Sequence, residues 1–558
     1  MKLFLPSAAL PIGLAVCGAA LAQTPPNAGS LNQQITREQA PATVATPFEI
    51  RVVQAALPAT AVADNEKISV ARLRVSGSTV FTEAQLLNAA QFGTKRSLSL
   101  GELRAIALKI TNYYHAHGYF LAQAYLPAQD IKDETVTIAV LEGQYGKVSL
   151  QNKSRLSDSV ANQLLGGLRS GDTVAVVPLE TRLLLLSDLP GVEVKSTLVP
   201  GASVGASDLI VDVLPGRFVS GSLDADNRGN RYTGRNRGGS TVNLNNPSGH
   251  GDVLTVRALA SNAGLRYARV GYQAQIERAT LGLAYSTMKY RLGEEFSSLD
   301  ARGEATITSL YGRYPLLRSR TVNLSALVDL ESKDFHDSVG SVGTATDKKA
   351  RSAMFSLEGD ARDGFGGGGM SSFGATLTSG EIDIVSPAAR ASDAQSVRSN
   401  GRFSKLSVSL TRQQSMSDAV TLYAAVNGQF ASKNLDTSEK MGLGGAGAVR
   451  AYPEGEAYGD QGYVVNLEAR LRLPGFMRMP GQFHLVGFVD AGSMTINKNV
   501  WTTGQNHRTL SGIGFGLNWV ESNNFAIKAS LARKLGHEVA TSAPDAKSRF
   551  WLQALKSF

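Results

Sequence analysis

The chain has 558 residues, too many for one small domain, and its net charge of +9 is spread along the sequence without a run of Lys or Arg. Nucleic-acid binding normally needs a concentrated basic patch, so nucleic acid is not expected as a partner. The only cysteine is Cys17. If the segment around it is removed, the mature chain can form no disulfide, thiolate metal site or cysteine nucleophile.

The N-terminal residues have the pattern of a secretory signal peptide. An apolar run over residues 3–16 precedes the small-residue triplet Ala20-Leu21-Ala22, which predicts a signal peptide over residues 1–22 that is cleaved after the triplet. Lipidation of Cys17 is the alternative, but the bulky Val16 before it argues against that. No later stretch supplies the roughly 20 apolar residues of a spanning helix, so a helical membrane protein is not expected.

Residues 23–67 are rich in Pro, Ala and Thr and predict a linker that contains one helix, over residues 30–38. Ser30 is the expected N-cap, and Leu31 and Ile35 lie at helical spacing. The helix is too polar for a protein core but suits a water-filled lumen. A frayed amphipathic tail is the alternative.

Residues 68–145 and 146–215 show the same order of elements, β-α-α-β-β, which predicts two small α+β domains. The first begins with a strand over residues 70–75, and a later strand is expected to open at Gly118-Tyr119-Phe120. The second has helices over residues 157–168 and 178–186. Each sheet would have an exposed edge that can accept an extended peptide as an added strand.

Residues 216–558 break into segments of about ten residues in which apolar and polar residues alternate, as in strands of a transmembrane barrel. Between Tyr463 and Leu473, for example, the apolar positions alternate with Asn466, Glu468 and Arg470. A charge on the lipid face would cost about 2–4 kcal/mol, so these charges are expected to face a wet lumen. A soluble β-sandwich, which also alternates, is the alternative.

The connections between the sixteen expected strands alternate in length, for which a sandwich gives no reason but an outer-membrane barrel does. Short turns are expected at residues 276–278, 317–319, 416–418 and 521–523, and long polar connections at residues 293–302, 336–349, 384–401 and 434–461. If the α+β domains are periplasmic, the short turns are periplasmic and the long loops extracellular.

Two motifs that could suggest chemistry are better explained by structure. Gly364-Phe365-Gly366 followed by Gly369 matches a dinucleotide-binding pattern, but no helix follows, so a glycine-rich turn is predicted. His115 and His117 are two residues apart on a helix and face different ways, so they do not form a metal pair. No catalytic residue, metal or cofactor is expected, and the protein is not expected to be an enzyme.

Four stretches are specific when taken together. They are residues 183–192 with Pro200-Gly201 and Ser207-Asp208-Leu209, Asp226-Asn227-Arg228-Gly229 with Thr233-Gly234, Val449-Arg450-Ala451-Tyr452, and Phe488-Val489-Asp490-Ala491-Gly492. In these stretches the chain resembles the two-partner secretion transporters (TpsB type), the haemolysin-activator and filamentous-haemagglutinin transporter family. The resemblance implies a plug helix and linker at residues 23–67, two POTRA domains at 68–145 and 146–215, and a sixteen-stranded barrel at 216–558.

The resemblance also implies a site. The longest loop would fold back into the lumen, where Arg450 meets Asp490 and locks the loop to the barrel. The family usually has glycine where this chain has Ala451. The other implied residues are the supporting motif Val449, Tyr452, Phe488 and Gly492, and the plug-helix residues Leu31 and Ile35.

By the same resemblance, the expected function is outer-membrane export of a cognate large exoprotein, such as an adhesin, haemagglutinin or haemolysin. The POTRA domains would bind this partner unfolded in the periplasm, and the barrel would be a monomer in outer-membrane lipid. The main alternative is an insertase of the barrel-assembly type, which usually carries more POTRA repeats. A passive porin and an enzymatic barrel are weaker alternatives, since porins lack a periplasmic receptor region and no catalytic groups are recognised.

Overall fold

The computed structural model describes residues 25–37, 50–52, 67–93, 96–475 and 479–558. The predicted signal peptide, its cleavage site and Cys17 lie outside the described residues, as does Glu38, the last residue of the predicted helix. The described residues form a helix, two small α+β units and a closed barrel of antiparallel strands.

The first helix, α1 (Ala28–Arg37), begins two residues before its predicted start. The prediction of Ser30 as its N-cap is wrong. The side chain of Asn27 accepts a hydrogen bond from the Ser30 backbone nitrogen at 3.0 Å, and Ser30 instead donates its hydroxyl to the Asn27 carbonyl, also at 3.0 Å. Asn and Ser are equally good caps, so the sequence alone could not choose between them.

The short strand β1 (Ile50–Val52) precedes the first α+β unit. That unit contains β2 (Lys67–Val70), β3 (Arg72–Ser76), α2 (Glu83–Ala90), β4 (Arg96–Ser99), α3 (Leu100–Ala116), β5 (Gln123–Tyr125) and β6 (Thr135–Leu141). Its main sheet has the order β3-β6-β5, and β2 pairs with β4 separately. Each helix begins with a capping box, at Thr82 and Gln85 for α2 and at Ser99 and Glu102 for α3, which fixes both starts.

Two strand predictions in this unit need correction. The strand predicted over residues 70–75 is two strands, β2 and β3, separated by a bend at Ala71 that sends them to different sheets. The strand predicted to open at Gly118 begins at Gln123. Gly118 has a φ of +88°, so the chain turns there before it becomes extended.

The second α+β unit contains β7 (Gln144–Asn152), α4 (Asp158–Leu165), α5 (Val176–Ser187), β8 (Val192–Pro200) and β9 (Ala206–Pro215). Its sheet has the order β1-β8-β9-β7, and Leu179, Leu183 and Leu186 of α5 are fully buried against it. The linker strand β1 runs parallel to β8, with Ile50 opposite Ser196. One edge of this sheet therefore already holds a strand from elsewhere in the chain.

The barrel strands follow in chain order: β10 (Val219–Asp226), β11 (Arg237–Asn245), β12 (Val253–Ser261), β13 (Arg266–Ile276), β14 (Ala279–Arg291), β15 (Ala301–Arg318), β16 (Val322–Val339), β17 (Thr344–Asp363), β18 (Gly369–Ile384), β19 (Gly401–Ser415), β20 (Val420–Ala431), the two-residue strands β21 (Met441–Gly442) and β22 (Tyr458–Gly459) within a loop, β23 (Gln461–Leu473), β24 (Gln482–Thr495), β25 (His507–Val520), β26 (Phe525–Lys534) and β27 (Ser548–Ser557). All except β21 and β22 belong to one closed antiparallel barrel. The predicted sixteen-stranded barrel and the α+β plus barrel fold class are confirmed. Five residue pairs, from Ser222–Ser557 to Asp226–Gln553, close the barrel between β10 and β27.

The alternation along each strand produces an apolar outer face and a polar lumen. On β23, Tyr463 and Leu467 are 52% and 50% exposed on the outer face, whereas Glu468 is largely covered on the inner face. Exposed apolar side chains on the outer face of a barrel are what a lipid environment requires. Among the described residues, no helix is both long and apolar enough to cross a membrane.

The strand connections alternate as expected at most positions. The short turns predicted at 276–278, 416–418 and 521–523 lie between paired strands, and the loop at 385–400 contains helix α6 (Pro387–Gln395). The long loop predicted over residues 336–349 is wrong, because β16 and β17 continue through it to Val339 and from Thr344. Most side chains in this stretch are polar on both faces of the strands, so the sequence shows no alternation of apolar and polar positions there. The two strands nevertheless remain paired.

The second α+β unit contacts the rim of the barrel that carries the short turns. Arg318, at the end of β15, donates two parallel hydrogen bonds of 2.7 Å to the carboxylate of Asp188, which follows α5. The Thr181 hydroxyl donates to the Arg318 carbonyl at 2.9 Å, and Arg320 pairs with Glu180 at 2.9 Å. The unit therefore has a defined attachment to the turn between β15 and β16.

Candidate functional site in the barrel lumen

The loop between β20 and β23, residues 432–460, turns back into the barrel and is called the inserted loop below. Its first part is held to the wall by buried ion pairs. Lys348 of β17 lies 2.9 Å from Asp436, and Lys333 of β16 and Lys405 of β19 lie 3.0 and 2.8 Å from Glu439. Three separate strands therefore fix this part of the loop.

Arg450, at the tip of the inserted loop, is held by Asp490 of β24. Its Nε and Nη2 atoms donate to the two oxygens of Asp490 at 2.8 and 2.7 Å, and its backbone nitrogen donates to the same carboxylate at 3.1 Å. The Asp490 side chain is completely buried, and that of Arg450 is 13% exposed. The structure thus brings these two predicted site residues together in a bidentate pair, the strongest geometry for such an interaction.

Two residues of β23 extend this pair into a network. The remaining Arg450 nitrogen, Nη1, donates to Glu468 at 2.8 Å, and Glu468 also pairs with Arg470 at 2.7 Å. Asn466 donates to Asp490 at 2.7 Å and to the Ala448 carbonyl at 2.8 Å. The buried charges therefore have partners, which burial of an ion pair requires.

Aromatic side chains cover the pair on two sides. The guanidinium of Arg450 lies 3.5 Å from the centre of the Phe488 ring, within cation–π distance. Trp551 of β27 donates its indole N–H to the Arg450 carbonyl at 2.7 Å. Gly514 makes room for the Phe488 ring, since a Cβ there would lie 2.4 Å from it.

The other residues of the predicted motif shape the loop tip. Val449 and Tyr452 are fully buried, and Gly492 leaves space for Leu443, since a Cβ at 492 would lie 2.6 Å from that side chain. Ala451 does not adopt a positive φ. The departure from glycine at this position therefore introduces no backbone strain here.

A second attachment holds the later part of the inserted loop, and the sequence reasoning missed it. The buried carboxylate of Glu456 accepts a hydrogen bond of 2.6 Å from Arg508 of β25. It also accepts hydrogen bonds from the backbone nitrogens of Thr541 and Ser542 at 2.9 and 3.1 Å. Glu456 therefore joins the inserted loop to both β25 and the loop before β27.

Helix α1 lies inside the barrel against β14, β15 and β16. Leu31 and Ile35 are 1% and 2% exposed and pack into an apolar cluster on the inner wall, so the helix that was expected to be too polar for a core has one buried apolar face. On the other side, Asn32 and Gln34 line a lumen cavity of about 700 Å³. The helix is thus amphipathic between an apolar wall and a polar pore.

The helix is also attached to the inserted loop. Gln33 donates to the Ser438 carbonyl at 2.6 Å, and Thr437 donates to the Asn27 side chain at 3.0 Å. Gly29 permits this approach, since a Cβ there would lie 2.8 Å from Ser438. The Ala28 backbone nitrogen donates to Asp337 of the wall at 2.9 Å.

The alternation of inward and outward positions along a strand could have indicated two residues that the sequence analysis did not assign to the site. It places Asn466 and Glu468 on the same inner face as Asp490, so their proximity to the loop tip followed once the register was known. Glu456, Arg508 and Trp551 gave no such signal, because they are distant in sequence and meet only when the barrel closes. Among the described residues, no group of three His, Cys, Asp or Glu side chains is arranged to hold a metal ion.

A closed barrel that keeps a helix and a long loop of its own chain in its lumen has the architecture of the outer-membrane protein transporters. Residues 205–519 match the family described as haemolysin secretion/activation protein ShlB/FhaC/HecB, and the chain belongs to this family. Residues 68–143 match the ShlB-type POTRA domain, so the first α+β unit is such a domain. The predicted family, fold class and outer-membrane location, with POTRA sequence in the periplasm, are confirmed.

Curated relatives include the heme/hemopexin transporter protein HuxB of Haemophilus influenzae, 27% identical over 99% of this chain and 98% of that protein. The outer membrane transporter CdiB of Dickeya dadantii is 22% identical over 74% of each chain. Among solved structures, CdiB from Escherichia coli superposes with a TM-score of 0.71 at 20% identity, covering 94% of this chain and 95% of that one. BamA from Haemophilus ducreyi, lacking POTRA domains 1–3, gives 0.52 at 13% identity, covering 88% and 100%, and shares the fold.

Proposed function

We propose that this chain exports a cognate large exoprotein across the outer membrane by two-partner secretion. The observation that carries this conclusion is the pair of segments inside the closed barrel, the inserted loop and α1. Both lie in the lumen, and side-chain contacts hold them, so they can be released without unpairing a barrel strand. A passive porin lacks a periplasmic receptor region, whereas a POTRA domain at the mouth supplies a place for the cargo to dock.

The two α+β units are proposed as the receptor, with the second unit acting as a second POTRA domain. A sheet edge binds an unfolded chain through backbone hydrogen bonds and so tolerates different side chains. The edge of β8 is able to accept a strand, since β1 already pairs with it in parallel. Cargo that adds to this edge would have to displace β1, which would keep its affinity low and its release easy.

Arg450 and Asp490 are proposed as the lock that keeps the inserted loop in place between export events, with Val449, Tyr452, Phe488 and Gly492 shaping its seat. Helix α1, through Leu31 and Ile35, is proposed as the plug. Since the periplasm offers no ATP, export would be driven by folding or accumulation of the cargo outside. No catalysis or cofactor is proposed, and the barrel would act as a monomer in outer-membrane lipid.

An insertase of the barrel-assembly type is the second candidate, and the shared barrel fold favours it. Only two POTRA-like units are present in the described residues, whereas such insertases usually carry more. For the cargo, the match to a heme/hemopexin transporter protein along the whole chain makes a haem- or hemopexin-related exoprotein the first to examine.

The proposal is tested by comparing the proteins released by a deletion strain and its parent. Loss of one large exoprotein, with unchanged outer-membrane protein content, is the expected result. A general loss of outer-membrane barrels would instead favour the insertase.

Titration of residues 68–215 with the N-terminal region of the missing exoprotein then tests the receptor role. Binding by the full chain but not by this fragment would refute that role.

A further inference from the structure

Three charged side chains lie side by side on the outer wall of the barrel, in register on neighbouring strands. Arg351 of β17 is opposite Glu381 of β18, and Glu381 is opposite Arg402 of β19. All three are exposed, and their neighbours Ile382 and Phe403 are buried in the lumen cluster on the opposite face. The three charges therefore point away from the pore, toward the membrane side.

Their height coincides with the outer edge of the lipid-facing band. On β19 the outward positions below Arg402 include Leu406 and Leu410, which are exposed, and the face ends at Arg412 near the periplasmic turn. Ten residues separate Arg402 from Arg412, which at about 3.3 Å per residue and a tilt of about 40° is about 25 Å along the membrane normal. That is the height of the apolar band of an outer-membrane barrel.

The two ends of this band differ in how their arginines are neutralised. Arg412 at the inner edge pairs with Asp363 at 2.5 Å. Two other outward cations toward the extracellular side have carboxylate partners, Lys289 in Glu304 and Arg291 in Asp300. In the part of the chain that the structure describes, Arg351 and Arg402 form no ion pair, although Glu381 lies between them.

A groove of about 620 Å³ lies beneath these arginines on the outer surface. Its floor is formed by the small residues Ala353 and Ser379, and one side by Leu310 and Leu330, which are 53% and 47% exposed. An acyl chain or sugar would fit against such a surface, while guanidinium groups at its upper rim would meet a head group. The site therefore combines an apolar groove with a charged rim, as a lipid combines hydrocarbon chains with a charged head group.

We propose that Arg351 and Arg402 bind a phosphate group of a phosphorylated glycolipid in the outer leaflet, whose hydrocarbon part lies in the groove below. Two guanidinium groups without protein partners at the edge of the hydrocarbon are costly unless an anion compensates them, and phosphate accepts their planar fork in bidentate form. The three side chains carry a net charge of +1, which matches one phosphate rather than a cluster. Glu381 opposes the bound anion and weakens the site.

The test uses the purified full-length chain and native mass spectrometry, with diphosphorylated lipid A, dephosphorylated lipid A and inorganic phosphate as probes. Arg351→Ala with Arg402→Ala should reduce retention of diphosphorylated lipid A about tenfold, the loss of roughly one charge-assisted interaction. Glu381→Gln should increase retention. The matched control is Lys289→Ala with Arg291→Ala, two outward cations with carboxylate partners, which should bind as the unaltered chain does.

The Arg351→Lys, Arg402→Lys variant keeps the charge and should retain more lipid than the alanine variant, which separates binding from a folding defect. Dephosphorylated lipid A should bind all variants alike. The proposal is overturned if the alanine variant retains diphosphorylated lipid A normally, or if Glu381→Gln loses it to the same extent. Displacement of the lipid by an equal concentration of inorganic phosphate would also overturn it, because the groove would then contribute nothing.

Discussion

Asp490 accepts hydrogen bonds from both the side chain and the backbone of Arg450 and from Asn466, so its carboxylate is saturated without any water. At about 4 Å and an effective dielectric of about 20, the Coulomb term of such a pair is about 4 kcal/mol before desolvation is subtracted. The net value of the pair is smaller, but removing one partner leaves the other charge buried alone.

Arg450→Ala and Asp490→Ala should each impair secretion while the barrel still assembles. Loss of one partner of a buried pair typically costs about 3–5 kcal/mol, which would free the loop tip. Because the two residues act as one unit, the double variant should be little worse than either single one. Secretion of the exoprotein and heat-modifiable migration of the barrel are the measurements.

Arg302→Ala is the matched control for this cycle, since Arg302 is an exposed arginine near an extracellular connection. It should secrete normally. Additive losses in the double variant, or normal secretion by Arg450→Ala, would show that Arg450 and Asp490 do not act as a lock.

Glu142 of the first POTRA domain gives a prediction on pH. Burial alone would raise the pKa of Glu142, but hydrogen bonds from the Thr79 side chain, the Val80 and Thr79 backbone nitrogens and the Tyr114 hydroxyl outweigh it and lower the pKa. Burial, with the neighbouring carboxylate, raises the pKa of Tyr114, so this hydroxyl remains a donor. The carboxylate therefore stabilises the folded domain above its unfolded pKa of about 4.3, and this stability is lost as pH falls through the lower folded pKa.

Glu142→Gln should destabilise this domain by about 1–3 kcal/mol near neutral pH, since hydrogen bonds to a buried charge are lost. The difference from the unaltered domain should shrink as pH falls through the lowered folded-state pKa of Glu142, below which the carboxylate is protonated in both states. Urea unfolding of residues 67–143 followed by circular dichroism measures this. The exposed Glu134→Gln serves as control, and a difference that stays constant with pH would rule out this role of the charge.

At the scale of elements, local sequence patterns predicted those helices and strands whose formation depends mainly on residues close together in the chain. The repeated β-α-α-β-β order and the alternation of the barrel strands predicted elements of the right type, in the right order except for β4 between α2 and α3. The errors lie where tertiary pairing overrides pattern: β16 and β17 continue beyond the lipid because they pair with each other, and β1 is a strand only because β8 offers an edge. The three residues of β1 are too few to show a periodic pattern, so this strand could not be predicted from the sequence.

Helix α1 should control conductance. Deletion of residues 23–39 should raise the current through the barrel in planar bilayers, because the cavity beside the helix would join an open lumen. Leu31→Asn with Ile35→Asn should act in the same direction but less, since the helix would lose its apolar seat yet keep its contacts to the inserted loop. Gln33→Ala, which removes one hydrogen bond, is the milder control. Unchanged current after the deletion would refute the plug role.

At the scale of the whole molecule, the sequence predicted the parts and the resemblance predicted the Arg450–Asp490 pair, but the attachments between parts could not be foreseen. Arg318 and Asp188 are 130 residues apart and meet only because the second α+β unit lies against the turn between β15 and β16. The same holds for Glu456 and Arg508, whose pairing depends on the depth at which the inserted loop enters the barrel.

Arg318→Ala should loosen the second unit from the barrel and lower secretion without unfolding either. The effect on stability should be no more than about 1 kcal/mol, because Asp188 is partly exposed. Lysine should not restore the contact, since it cannot make two parallel hydrogen bonds. Hydrogen exchange in α5 and in the β15–β16 turn measures the change, with Arg313→Ala on the same strand as control. Equal exchange in both variants would contradict the attachment.

The contacts of the inserted loop also fix an order of events during biogenesis. The first part of the loop meets strands that precede it, but the anchors of its tip and later part follow it in the chain: Asp490 lies on β24, Arg508 on β25 and Trp551 on β27. These anchors become available one strand at a time, and the Trp551 contact forms only when β27 joins the wall. Complete seating of the loop therefore comes at the end of assembly, and a barrel truncated before β27 would lack the Trp551 contact. A copy that still lacks its final strand therefore holds the tip of the inserted loop by fewer contacts than a finished one does.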